Sequence, residues 1–147
     1  MIKKLKYMIL LVLLLVPITG CGTSQTENQT VFKINEETTI DGIKIVLNDI
    51  QMSQSFQDVK PEKDTYLNLE FIITNTTNQT ITIDSTKNFV FKIEEEVYTD
   101  LNHNKMIEIA PEETVVYTLI YDVEEQDFYE VLFYSGIVEN NIKFTTL

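Results

Sequence analysis

Beyond residue 30 the apolar residues recur at every second position, the spacing of a strand with one buried face. Leu67, Leu69, Phe71 and Ile73 alternate with polar residues until the stretch NTTNQT breaks the run, and Val115, Tyr117, Leu119, Tyr121 and Val123 repeat the pattern. Thr38 to Ile40, Asp41-Gly42 and Ile43 to Leu47 read as a hairpin, because Asp-Gly supplies the positive φ angles of a tight primed turn. Ile81 and Ile83, then Phe89, Phe91 and Ile93, a charged EEE turn, and Val97 with Tyr98 continue the series. Val131 to Tyr134 and Ile137 to Phe144 complete it. No stretch longer than two turns follows the 3.6-residue period of a helix. Seven to nine short strands in about 115 residues, with turn signals every ten or so, predict an all-β fold, an antiparallel β-sandwich.

The first twenty residues follow a different pattern. Lys3, Lys4 and Lys6 precede an unbroken apolar run from Met8 to Val16, followed by Pro17 and small residues. The run is well short of the roughly 20 residues that span a bilayer, so it predicts a secretory signal peptide over residues 1–20. The next residue, Cys21, is the only cysteine in the chain. Ile18, Thr19, Gly20 and Cys21 resemble the lipobox of bacterial lipoproteins, a branched apolar residue, a small residue and Gly or Ala before Cys. That resemblance implies a diacylglyceryl thioether on Cys21, cleavage before it, and anchoring to the extracytoplasmic face of the bacterial cell membrane. One acyl chain holds a protein to a bilayer only marginally, whereas two hold it stably. An unmodified cysteine after an ordinary signal peptide is the competing reading. Gly22 to Thr30 is polar and aperiodic, so residues 21–30 form a flexible tether reaching about 30 Å when extended. Residues 31–147 are then a single domain.

Charge narrows the choice of partners. The chain has 11 lysines and no arginine against 23 acids, a formal net charge of −12. Loss of Lys3, Lys4 and Lys6 with the leader leaves eight lysines facing 23 acids, so the exported part carries about −15. Such a chain is poorly suited to grip phosphates, which argues against nucleic acid and against an anionic membrane surface as ligand. It favours cationic peptides or basic protein surfaces.

The stretches TYLNLEFIITN, FVFKIEEEVY and IAPEETVVYTLIYDV resemble the telokin-like extracellular domains of unknown function carried on Gram-positive lipoproteins. The resemblance runs over residues 36–134 and implies an immunoglobulin-like fold. Asn75 stands where that pattern ends a long strand, Tyr98 where a Tyr follows the turn, and Pro111, Asp122 and Val123 keep their places. Glu95, Glu112, Tyr121 and Glu124 replace the pattern's Gly, Gly, Phe and Pro. These are turn and core positions, so the resemblance speaks to fold rather than to chemistry.

Catalytic signals are sparse. The one histidine, His103, sits in the polar stretch LNHNK, no Gly-flanked serine resembles a nucleophile elbow, and no His/Cys spacing suits zinc. A hydrolase built around His103 stays a minor alternative, and no catalytic residue or cofactor is expected. Asp100, Asn102 and Asn104 take the 1, 3 and 5 spacing of a calcium loop, with Glu108 at position 9. Lys105 and Pro111 occupy the positions of the turn Gly and the bidentate Glu, so a polar loop competes with a Ca2+ site. The sequons at Asn28, Asn75 and Asn78 read as turn residues.

Face bookkeeping gives one more candidate. If Leu67, Leu69, Phe71 and Ile73 point inward, Tyr66 and Ile72 point outward, as do Val116 and Ile120 on the later strand. Neighbouring strands would make of Tyr66, Ile72, Val116 and Ile120 a protein-binding patch, unless the segment from Gln51 to Lys63 covers it. The sequence therefore predicts a membrane-anchored, non-catalytic binding module for a protein or peptide, using a sheet face or end loops. The alternative is a calcium-responsive surface module using the loop from Asp100 to Glu108.

Overall fold

Asp41 and Gly42 both take positive φ (49° and 77°), closing a two-residue hairpin between β2 (Glu37–Ile40) and β3 (Ile43–Ser53). The computed structural model describes residues 30–102, 105–136 and 140–147. Around that hairpin the other strands are β1 (Val31–Phe32), β4 (Thr65–Asn75), β5 (Ile81–Asp84), β6 (Phe89–Ile93), β7 (Glu96–Tyr98), β8 (Met106–Ile109), β9 (Thr114–Val123), β10 (Glu130–Tyr134) and β11 (Asn141–Thr145). The short helix α1 (Ser85–Asn88) is N-capped by the Asp84 carboxylate, which accepts the Thr86 N–H.

One sheet has the order β2-β3-β4-β9 and the other β1-β11-β10-β6-β7, while β5 and β8 form a two-stranded sheet. Among the described residues every strand pairing is antiparallel except β1 with β11. The expected all-β sandwich is what forms. Its strands number eleven among the described residues rather than seven to nine, because pieces as short as Val31–Phe32 and Glu96–Tyr98 carry too few residues to show a period. Residues 137–139, within the last expected strand, lie outside the described residues.

The two large sheets meet through rings. Phe71 of β4 lies 5.1 Å from Phe89 of β6 and 5.4 Å from Phe144 of β11, centroid to centroid. Tyr117 stacks on Phe89 at 5.5 Å and Tyr121 on Phe91 at 4.4 Å. These contacts place the inward stripes of β4 and β9 against β6, β10 and β11, as strand alternation requires. Asn75 closes one end. It is fully buried, donates to the carbonyls of Gln79 (2.7 Å) and Ile109 (2.9 Å), and accepts from the N–H and hydroxyl of Thr77.

A bulge interrupts the β3–β4 ladder between Leu47 and Asp49. The extra residue keeps Leu47 and Ile50 on the inner side and puts Asn48 and Asp49 together outside, opposite Glu70. Asn48 Nδ2 donates to Glu70 Oε1 at 2.7 Å.

Candidate functional site

Three segments gather at the end of the sandwich where β3, β6 and β9 finish: residues 54–64, 94–96 and 122–128. Their sequences hold ten carboxylates and two lysines, Lys60 and Lys63. The long β3–β4 loop is itself ordered by turn chemistry. Gln57 and Asp58 both have positive φ, and Phe56 and Val59 exchange two backbone hydrogen bonds of 2.9 Å across them.

That loop is then tied to the end of β9. The Asp122 carboxylate accepts the N–H groups of Glu62 (2.7 Å) and Lys63 (3.0 Å), and the Asp64 carboxylate accepts the N–H of Glu125 (3.1 Å). Lys63 forms the centre of the pole. Its ammonium lies 4.3 Å from the Tyr98 ring centroid, donates to the Tyr98 hydroxyl (2.8 Å), and bridges to Glu96 (3.2 Å) and Glu124 (3.0 Å). The Tyr98 hydroxyl in turn donates to Glu124 Oε2 at 2.6 Å. Because Tyr98 belongs to one sheet and Glu124 follows the last strand of the other, this cluster latches the two layers together.

The electrostatics follow from these contacts. The Tyr98 hydroxyl, then Lys63, hold the Glu124 carboxyl down at about 2. The Tyr98 hydrogen bond, with Glu124 and Glu96, lifts the Lys63 ammonium above the ordinary lysine range against the opposing effect of desolvation. Burial, and then the hydrogen bond to Glu124, push the Tyr98 phenol up. One cation is thus consumed within the pole, and most of its carboxylates remain as excess negative charge.

Apolar residues stand among those acids. Val59, Val97 and Phe128 are each about half exposed. Between the β6–β7 turn and the loop after β9 lies a cavity of about 320 Å3, lined by Lys92, Ile93, Glu94, Gln126, Asp127, Phe128, Tyr129 and Glu130. Its floor is firm. Tyr129 is buried, its hydroxyl donates to the Glu124 carbonyl (3.0 Å) and accepts the Gln126 N–H (3.0 Å), and its ring packs 5.9 Å from Phe91. An acidic surface with half-exposed apolar anchors over a rigid floor suits a basic protein or peptide segment.

The four residues expected to form a sheet-face patch do share the outer side of β4 and β9, which are neighbours. Ile72 lies directly opposite Val116, and Val116 is 57% exposed. The expected exposure of Tyr66 and Ile120 needs correction, since they are only 4% and 7% exposed. Phe56 packs against the Tyr66 ring at 5.9 Å and the Lys60 carbonyl accepts the Tyr66 hydroxyl (3.0 Å), so the segment between β3 and β4 covers that end. Leu101 donates its N–H to the Ile120 carbonyl (2.8 Å), running residues 100–102 along the edge of β9. The remaining apolar patch is reduced to Ile72 and Val116.

The expected calcium loop is divided among different structural tasks. Asp100 is buried, and its Oδ1 accepts the N–H groups of Ile120 (2.9 Å) and Asn102 (3.3 Å), so it caps an open strand edge. The Asn102 amide donates to the Thr118 carbonyl at 3.3 Å. Glu108 is an exposed strand residue of β8, opposite Thr82. Asn104 and His103 lie outside the described residues, as does Cys21. Among the described residues no group of three His, Cys, Asp or Glu side chains could hold a metal ion.

No family model matches the chain, and no curated protein matches it. Solved structures do share its fold. The ycdA protein of Bacillus subtilis, described as a candidate lipoprotein, superposes with a TM-score of 0.60 at 15% identity over 74% of this chain. This chain spans only 37% of that protein. The yjhA protein of the same organism superposes with a TM-score of 0.59 at 11% identity, covering 79% of this chain and 99% of that one. An uncharacterised β-sandwich protein from Clostridium difficile gives a TM-score of 0.49 at 16% identity, covering 84% of this chain and 99% of that one. For the two Bacillus subtilis proteins, at these identities, the likeness is one of fold.

The acidic pole escaped the residue-by-residue reading because its carboxylates come from three segments separated by about 30 residues each. The signal that was available is the density of acid in those segments, EEE at 94–96 above all, coupled to the departure at Glu124 from the resembled pattern.

Proposed function

We propose that the protein is a non-catalytic binding module, lipid-anchored through Cys21 at the outer face of a bacterial membrane, that docks a basic protein or peptide on its acidic pole. The observation that carries the reading is the joining of ten carboxylates with the half-exposed Val59, Val97 and Phe128 at one end of a rigid sandwich. The lipobox resemblance supports the anchor, and the telokin-like resemblance fits a surface module of this kind. Binding requires only a preorganised patch and a partner, whereas hydrolysis also needs a nucleophile, a base and a stabiliser of developing negative charge, which a strongly acidic field opposes.

Isothermal titration of the full chain in nonionic detergent with an oligolysine peptide tests it. The variant Asp58→Asn/Glu95→Gln/Glu125→Gln removes three charges whose side chains accept no hydrogen bond within the described residues. Wild type is expected to bind with an affinity that falls steeply between 50 and 500 mM salt, roughly the range over which exposed charges become screened, and the variant to lose most of it. Equal affinity of the two proteins would overturn the docking role of the pole.

A further inference from the structure

Within that pole the cavity beside Phe128 has a chemistry of its own. Ile93, Phe128 and the buried Tyr129 supply its apolar surface, and Glu94, Asp127, Gln126 and Lys92 its polar lining, so the two carboxylates outnumber the one exposed ammonium. Glu130, also in the lining, is committed to Lys143 at 3.1 Å. Neither Glu94 nor Asp127 forms a salt bridge among the described residues. Nearly half of the Phe128 surface is open to solvent.

Resting on the reading of the pole as a docking surface, we propose that this cavity is the anchor pocket for one arginine side chain of the partner segment. The fit is chemical. A guanidinium is planar, stacks on an aromatic face, and carries donors in a fork that matches a carboxylate. The three methylenes behind it cover apolar surface such as that of Ile93. Lysine can meet a carboxylate too, but as a strongly hydrated point charge it gains less from the open Phe128 ring. A volume near 320 Å3 lies at the small end of ligand sites, suited to a single long side chain with a little of its backbone. The mutual repulsion of two copies of a chain of charge −12 disfavours self-association as the use of this surface.

The experiment uses fluorescent hexapeptides differing at one position, arginine, lysine or the neutral isostere citrulline, titrated onto the full chain in nonionic detergent. The arginine peptide is expected to bind at least tenfold tighter than the citrulline peptide and severalfold tighter than the lysine one. Phe128→Ala and Asp127→Asn each weaken the arginine peptide at least fivefold, with little change for the lysine peptide on Phe128→Ala. Glu112→Gln, at the opposite end, leaves all three unchanged, and circular dichroism of each variant verifies an intact sandwich. Equal binding of arginine and citrulline, or undiminished arginine binding by Phe128→Ala and Asp127→Asn, would overturn the pocket. Loss of oligolysine binding in the triple pole variant alongside such a result would leave the broader docking reading standing, whereas no loss in either would remove both.

Discussion

At the scale of single residues, the side chains that stand out in the sequence turn out to hold the fold. Asn75, the strand-ending position of the resembled pattern and the first residue of a sequon, satisfies four hydrogen-bonding contacts in a fully buried site. Truncating it removes the side-chain partner of the Ile109 carbonyl and of the Thr77 N–H, while the Thr77 hydroxyl can still donate to the Gln79 carbonyl (2.9 Å), so Asn75→Ala is expected to cost about 1–3 kcal/mol in chemical denaturation. Phe71 was legible as core from its place in an alternating stripe, and the structure puts it between Phe89 and Phe144. Phe71→Ala should cost about 3–5 kcal/mol by the same measurement. Gly42 shows how a turn signal carries two constraints. Its φ of 77° favours glycine, and a Cβ there would lie 2.6 Å from the Thr77 methyl. Asp100 was harder to read. Its spacing from Asn102 suggested a ligand, whereas its carboxylate completes the edge of β9 from a loop about 20 residues away, a pairing that only the tertiary fold creates.

At the scale of elements, alternation revealed β3, β4, β9 and β10, because one buried face leaves a period-two trace. It could not reveal which outward residues lie under a loop. Tyr66 is covered by residues 56–60, and Ile120 is buried on the strand edge along which residues 100–102 run, segments whose own patterns give no hint of where they fold back. The bulge before Asp49 was equally invisible, since one extra polar residue in a long strand does not alter the apolar stripe enough to register. The latch at the pole is the element whose behaviour is easiest to test. Glu124 titrates at about 2 when folded against an ordinary 4.5, so the folded state binds fewer protons there than the unfolded one. Its stabilisation is complete above about pH 4.5 and is lost as the pH falls toward 2. Asp84, held down at about 2 chiefly by the Thr86 hydroxyl and N–H, acts in the same direction. Lys63, raised above its ordinary 10.5, contributes fully below that value and loses its contribution only in strong alkali. Carbon-detected NMR titration should show Tyr98→Phe moving the Glu124 carboxyl up from about 2 toward its ordinary value. An unmoved carboxyl would mean that the Tyr98 hydroxyl does not hold it.

At the scale of the whole molecule, the proposed lipid on Cys21 and the polar stretch after it would hold a sandwich with an acidic pole at the membrane surface. The anchor was read from four residues and lies outside the described part of the chain, so it calls for its own test. Cells fed an alkyne-tagged palmitate should label the wild type, and Cys21→Ala should take none. Equal label on the two would remove the anchor. The sandwich was readable from periodicity, while the acidic end was not, because proximity among residues 58, 95 and 125 depends on the strand order that brings three loops to one pole. The most direct measurement is a map, by amide chemical shifts, of where a basic peptide lands. The account predicts perturbations over residues 54–64, 94–98 and 122–130 that fade with added salt, with the turns at Asp41-Gly42 and Thr76–Gln79 unmoved. Perturbations centred instead on Ile72 and Val116, or none at any peptide concentration, would contradict it.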